Sequence, residues 1–234
     1  ARAEGGGSGA RALELLERRV LLPDTDLALE APMLPKYPPL HTIFIHIPKT
    51  GGQSIAKALE PWDKPTAYGL GKHPTSDRVK RAVTPDEWNN AFKFTVVRNP
   101  WERLVSFYFY GQKKLVPVRL SLGQWIEWVC SDNPDVPLQK TTKSQRVVQM
   151  DSVAWLRSRI PMVRYLSDDI DYIARLETIA QDWKVICTRL GIQLDLPHLN
   201  RSAHAPAAQL LTPRLVKMVG EYFKEDVERF GYTF

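Results

Sequence analysis

Lys49, Thr50 and Ser54 surround a Gly-Gly step in the stretch FIHIPKTGGQSI, which begins at Phe44. A lysine, hydroxyls and paired glycines together meet the demands of holding a multiply charged phosphate against a backbone. Gly51 and Gly52 permit positive φ and put no side chain between the amides and an oxyanion. Lys49 adds a full charge, and Thr50 and Ser54 add hydroxyl donors. Gln53 contributes an amide between them. A helix opening after the glycines offers free N–H groups and the positive end of its dipole, worth ~0.3–1 kcal/mol per exposed anionic interaction. The Walker A order G-x-x-x-x-G-K-[ST] is not met, because the lysine precedes the glycines. No later strand ends in an acid that clearly reads as a magnesium ligand. The cradle therefore suits a phosphate rather than a magnesium nucleotide, and no metal is expected.

A second group of residues points to the same chemistry. Arg98 closes the apolar run FKFTVV, at the edge of a parallel sheet where side chains face the ligand crevice. Ser106 follows two turns into the next helix. An arginine there can fork onto a phosphate, and an inward serine adds a neutral donor. Two anion-binding strand ends imply a ligand with two phosphate positions.

Positioning these groups requires alternating strands and helices. Thr42 to Ile47 is continuous in β-branched and aromatic residues, as in a strand buried on both faces. QSIAKALE then has helical character and stops at Pro61. Phe92 to Val97 is a second strand, and Asn99 as N-cap, Pro100 at the first helical position and Glu102 as the capping-box acid start the helix after it. The rest, including SLGQWIEWV, DIDYIARLETIAQDWKVICTRLG and TPRLVKMVGEYFKEDVERFG, reads as mostly helical. The expected fold is α/β: a P-loop-like three-layer domain with a central parallel sheet flanked by helices. A single domain spans residues 41–234, preceded over residues 1–40 by a glycine-rich tail, a short helix and a proline-rich strap.

Composition agrees. At 234 residues, 44% hydrophobic and 25% charged, the chain can bury one substantial core, which excludes disorder of the whole. Cys130 and Cys187 are too few and too far apart for a disulfide framework or zinc site. No apolar run approaches the ~20 residues that span a bilayer. The net charge of +6 favours anionic partners, be they nucleic acid, acidic glycan or phosphorylated cofactor.

IFIHIPKTGGQSI resembles the 5′-phosphosulfate loop, and FTVVRNPWERLVSFYFY the 3′-phosphate segment, of sulfotransferases that use 3′-phosphoadenosine 5′-phosphosulfate. The nearest likeness is to the carbohydrate sulfotransferase family that includes heparan sulfate 2-O-sulfotransferase. RLETIAQDWKVICTRLGI, LPHLNRSAH and DVERFGYTF extend it more weakly to the chain's end. The resemblance implies that Lys49 contacts the 5′-phosphate and the bridging oxygen, within the amides of Thr50, Gly51, Gly52, Gln53 and Ser54. It implies that Arg98 and Ser106 hold the 3′-phosphate, and that Arg201 and Ser202 belong to a late loop closing over the same cofactor. The family usually has threonine at the place of Gln53. Its acceptor-side base is usually a histidine between the two phosphate segments, where His73 stands; His46, just before the cradle, and His204, in the late loop, are the rivals. The expected activity is sulfuryl transfer to an acceptor hydroxyl, on a carbohydrate, leaving adenosine 3′,5′-bisphosphate and using no metal. Compartment follows source: cytoplasm if bacterial, Golgi lumen if this is the catalytic part of an anchored enzyme.

Other features have plainer readings. FYFY after Ser106 reads as helix packed in the core, and Trp125, Trp128 and Trp183 as core rather than acceptor platforms. Lys140, Lys143, Arg146, Arg157, Arg159 and Arg164 read as a solvated face, or as the lining of a cleft for an anionic glycan. A P-loop-type kinase remains as an alternative, and it would need magnesium and an acid. A nucleic-acid-binding protein is the other, and it would gather its basic residues with exposed aromatics, whereas here they are scattered.

Overall fold

The computed structural model describes residues 42–60, 70–114, 120–132, 156–197 and 204–234. The expected tail, helix and strap of residues 1–40 lie outside these. Among the described residues, a parallel sheet of order β1-β2-β3 forms the middle layer, built from β1 (Thr42–Ile45), β2 (Phe92–Val97) and β3 (Tyr172–Arg175). Phe44 pairs with Phe94, and Phe94 with Tyr172, so the three strands end at one edge. From that edge come the Lys49 loop, Arg98 and Leu176.

Strand alternation divides the core. Ile43 and Ile45, with Ile47 beyond them, point to one face. There they meet α4 (Pro100–Lys114), α5 (Leu122–Val129) and α8 (Pro213–Tyr222) through Leu104, Trp125, Ile126 and Val219. Phe44, Phe94, Val96 and Ala174 face the other side. They pack on Ile55 of α1 (Gly52–Ala58), on Leu59 just after it, and on Trp183, Ile186 and Leu190 of α6 (Ile179–Leu190). Each such buried side chain contributes roughly 1.5–3 kcal/mol. Two faces, each covered by helices, make the three-layer α/β domain.

Shorter helices complete it: α2 (Ser76–Ala82), α3 (Pro85–Asn90), α7 (Ala207–Leu210) and α9 (Lys224–Phe230). Thr84 and Glu87 form a reciprocal capping box on α3, and Ser121 and Gln124 form one on α5. No helix among the described residues is long and apolar enough to cross a membrane.

Several expectations need correction. β1 stops at Ile45 rather than Ile47, because the chain must already turn into the loop at His46. β3 lies inside a stretch read as helical; with four residues of which only Ala174 is buried, its alternation is too short to stand out beside the strong period of α6. The C-terminal helical run is two helices separated at the buried Phe223. Asn99 does cap α4, its Oδ1 accepting from Trp101 N (3.1 Å) and Glu102 N (3.3 Å). Glu102 does not close a capping box, since its carboxylate is drawn to Arg98 and the amide of Ala207.

Candidate active site

The loop after β1 has a backbone that only a special sequence can adopt. Lys49 is left-handed at φ 68°, and Gly51 follows at φ 81°, while Thr50 between them is not. Alternation of this kind turns successive amides toward a common point, an anion-binding nest. A non-glycine residue held at positive φ is strained, and such strain gathers at functional sites. Both glycines are also forced by space. A Cβ on Gly51 would sit 2.6 Å from Leu176 Cδ1, and one on Gly52 would sit 2.5 Å from His46 Nε2. Thr50 is fully buried, and its hydroxyl donates to Ile47 O at 3.0 Å. The hydroxyl donor expected for an anion is thus used to close the turn, leaving the amide.

Arg98 stands beside this loop. Its Nη1 donates to Lys49 O at 3.4 Å and its Nη2 to Glu102 Oε2 at 3.3 Å. Glu102 Oε1 accepts from Ala207 N at 2.7 Å, which ties the late chain to the same group. Ser106 is buried one turn further along α4. One turn beyond that, Tyr110 is 39% exposed and lies 4.3 Å beneath the Lys49 ammonium. FYFY is therefore not buried on all sides. Phe107 is core, Tyr108 and Phe109 are partly covered, and Tyr110 faces the site. Burial first, then Arg98 and Lys72, lowers Lys49 to about 8.

His73 and His46 form one unit, their ring centroids 4.4 Å apart, edge to face. His73 Nδ1 lies 2.9 Å from His46 O. A carbonyl only accepts, so Nδ1 carries the proton and Nε2 keeps its lone pair. Burial is the main force holding both rings neutral, taking His46 to about 3 and His73 to about 2; Lys72 and Arg157 add to it in each case. His204 stacks on Phe109 of α4 at 5.0 Å, with its Nδ1 2.9 Å from Ala205 O.

A comparison with known protein families matches residues 37–233 to the sulfotransferase family. The chain belongs to the sulfotransferase family. Sulfuryl transfer to a hydroxyl-bearing acceptor is its general activity. No curated protein and no solved structure matches it.

In this sulfotransferase the expected site residues fall into three groups. Lys49, Thr50, Gly51, Gly52, Gln53 and Ser54 form the turn and first turn of α1; Arg98 stands at the neighbouring strand tip, with Ser106 buried two turns along the chain in α4; His46 packs against the loop at Gly52 and His73 against His46. Arg201 and Ser202 lie outside the described residues, as do Lys140, Lys143 and Arg146. The described part of the basic stretch is not one surface. Arg157 acts on the histidines, Arg159 packs over Trp128 at 5.3 Å and bonds Ser131 O, and Arg164 pairs with Glu225 at 2.6 Å. Trp125, Trp128 and Trp183 are core. Sequence reasoning passed over Lys72, which sits next to His73, and Arg103, whose position one turn before Phe107 resembles an ordinary solvated helix charge. Among the described residues no group of three or more His, Cys, Asp or Glu is arranged to hold a metal.

Proposed function

We propose that this chain transfers a sulfuryl group from 3′-phosphoadenosine 5′-phosphosulfate to a carbohydrate hydroxyl by in-line displacement. The observation that carries the reading is the convergence of Lys49 and Arg98 from neighbouring strand tips, with Arg98 donating to the Lys49 carbonyl. The residues fit the donor. A nest, a helix N-terminus and a lysine suit the 5′-phosphosulfate, while Arg98, followed by Ser106 two turns along the chain, suits a 3′-phosphate. When bound, the donor supplies the sulfuryl group: the acceptor oxygen bonds sulfur as the bond from sulfur to the bridging oxygen breaks.

The chain's own residues then have distinct tasks. Lys49 neutralises the charge that grows on the departing phosphate, and the loop amides share it. Arg98 and Ser106 fix the nucleotide's other end, so orientation is set at two points. His73 Nε2 accepts the acceptor's proton, a step that typically contributes ~10²–10⁴-fold. Lys72 and Arg157 beside it favour an acceptor whose neighbouring groups are anionic, as in an acidic glycan.

Titration with adenosine 3′,5′-bisphosphate and with ATP, each with and without magnesium, tests the reading. The expected result is preference for the bisphosphate, independent of magnesium. Preference for Mg·ATP would replace it with a kinase.

A further inference from the structure

Arg103 occupies α4 midway between Arg98 and Ser106, yet its guanidinium does not face the crevice. It is buried to 2% exposure. Nε donates to Pro48 O at 3.0 Å and Nη1 to Ile160 O at 3.0 Å, while Nη2 has no partner. Among the described residues Arg103 makes no ion pair. Asp226, an acid whose field it feels, accepts from the amides of Met162 (2.8 Å) and Val163 (2.9 Å) instead. An unpaired buried cation is an expensive feature, and an apolar side chain of similar length often packs as well or better. Stability alone does not account for the choice of arginine here.

What the arginine touches gives the reason. Pro48 is the residue before Lys49, whose φ of 68° opens the nest. Arg98 holds the next carbonyl, that of Lys49. Two arginines of one segment therefore grip two successive carbonyl oxygens of the loop, and a peptide plane fixed at its oxygen is fixed at its amide too. An anion that engages Arg98 competes with the second grip. It leaves the first in place, since Arg103 is sealed from the crevice.

We infer that Arg103 is a positioning residue that holds the 5′-phosphosulfate loop in its anion-binding shape from the helix carrying the 3′-phosphate residues. The inference rests on the donor assignment above. It ties the 5′-phosphosulfate loop to the helix of the 3′-phosphate residues through a guanidinium that never meets the ligand.

Three nucleotides separate this role from a merely structural one: adenosine 3′,5′-bisphosphate, 5′-AMP and 3′-AMP. Arg103→Met should weaken the bisphosphate and 5′-AMP by the same factor, ~10–100-fold, and leave 3′-AMP unchanged. Arg103→Lys, which keeps one donor, should recover part of the loss. If Arg103→Met does not fold, Arg103→Lys carries the test with the same expected pattern at smaller amplitude. Unchanged affinity for all three ligands, or equal loss for all three, overturns the inference. A wild-type protein that fails to prefer the bisphosphate over 5′-AMP overturns the donor assignment instead, so the two failures are distinguishable.

Discussion

The two ends of β2 each bury a cation, and they treat it differently. At the amino end, Lys93 Nζ donates to Ala91 O (2.8 Å) and Trp88 O (3.2 Å) and pairs with Asp171 at 3.1 Å. Every donor of that ammonium is met within its own neighbourhood. Beyond the carboxyl end, Lys49 rests on an aromatic face, Arg103 on two carbonyls, and Arg98 shares Glu102 with an amide. Positive charge exceeds negative there, with Lys72 and Arg157 adding to it. A cation whose partners are complete reports architecture, whereas cations that outnumber the acids around them, here Glu102, Glu177 and Asp226, point to an anion to be bound.

Substitutions at the two ends should separate along that line. His73→Ala, at the carboxyl end, should lower turnover ~10²–10⁴-fold in a sulfation assay while bisphosphate affinity holds. Full residual activity would move the base to His46 and blur the contrast. Arg98→Ala should weaken the bisphosphate ~10–100-fold in calorimetric titration and AMP far less; equal losses would mean that the 3′-phosphate is held elsewhere. Lys93→Met, at the amino end, should cost ~1–3 kcal/mol in denaturant unfolding through the orphaned carbonyls, with nucleotide affinity untouched. A loss of affinity there would erase the distinction between the ends.

pH gives the gentlest test. His46 and His73 have folded-state values below the usual 6.5, so the unfolded chain takes up protons first as pH falls. Stability from their neutral burial is complete above pH 6.5 and declines below it, by up to ~1.4 kcal/mol per pH unit for each ring. Thermal melts between pH 7 and 5 should show the decline, and His73→Ala should reduce its slope. Lys49, lowered to about 8, supplies the opposite limb: bisphosphate affinity should fall as pH rises past that value.

Much of this was legible because loop chemistry is local. Paired glycines after a buried-type strand, and Asn99-Pro100 after another, need no tertiary knowledge to read. β3 was hidden because a four-residue strand carries less pattern than the helix that follows it. The side-chain partnerships were hidden for a different reason. Glu102 occupies a capping-box position, but the N-cap amide of Asn99 donates to Glu177 at 2.7 Å while Glu102 turns to Arg98. Tyr110 sits in an aromatic run whose burial differs residue by residue, and Arg103 in a helix whose charged positions are usually wet. No spacing rule distinguishes those cases; only the packing of α4 against the loop does.

Because His73 is buried, and lies besides within the positive field of Lys72 and Arg157, its imidazole takes up a proton reluctantly. The negative charge of the proposed donor, held by Lys49 and Arg98, would offset that field and raise the ring's appetite for a proton. In the proposed reaction this sets an order on the chain's own groups, in which loading comes first and deprotonation second.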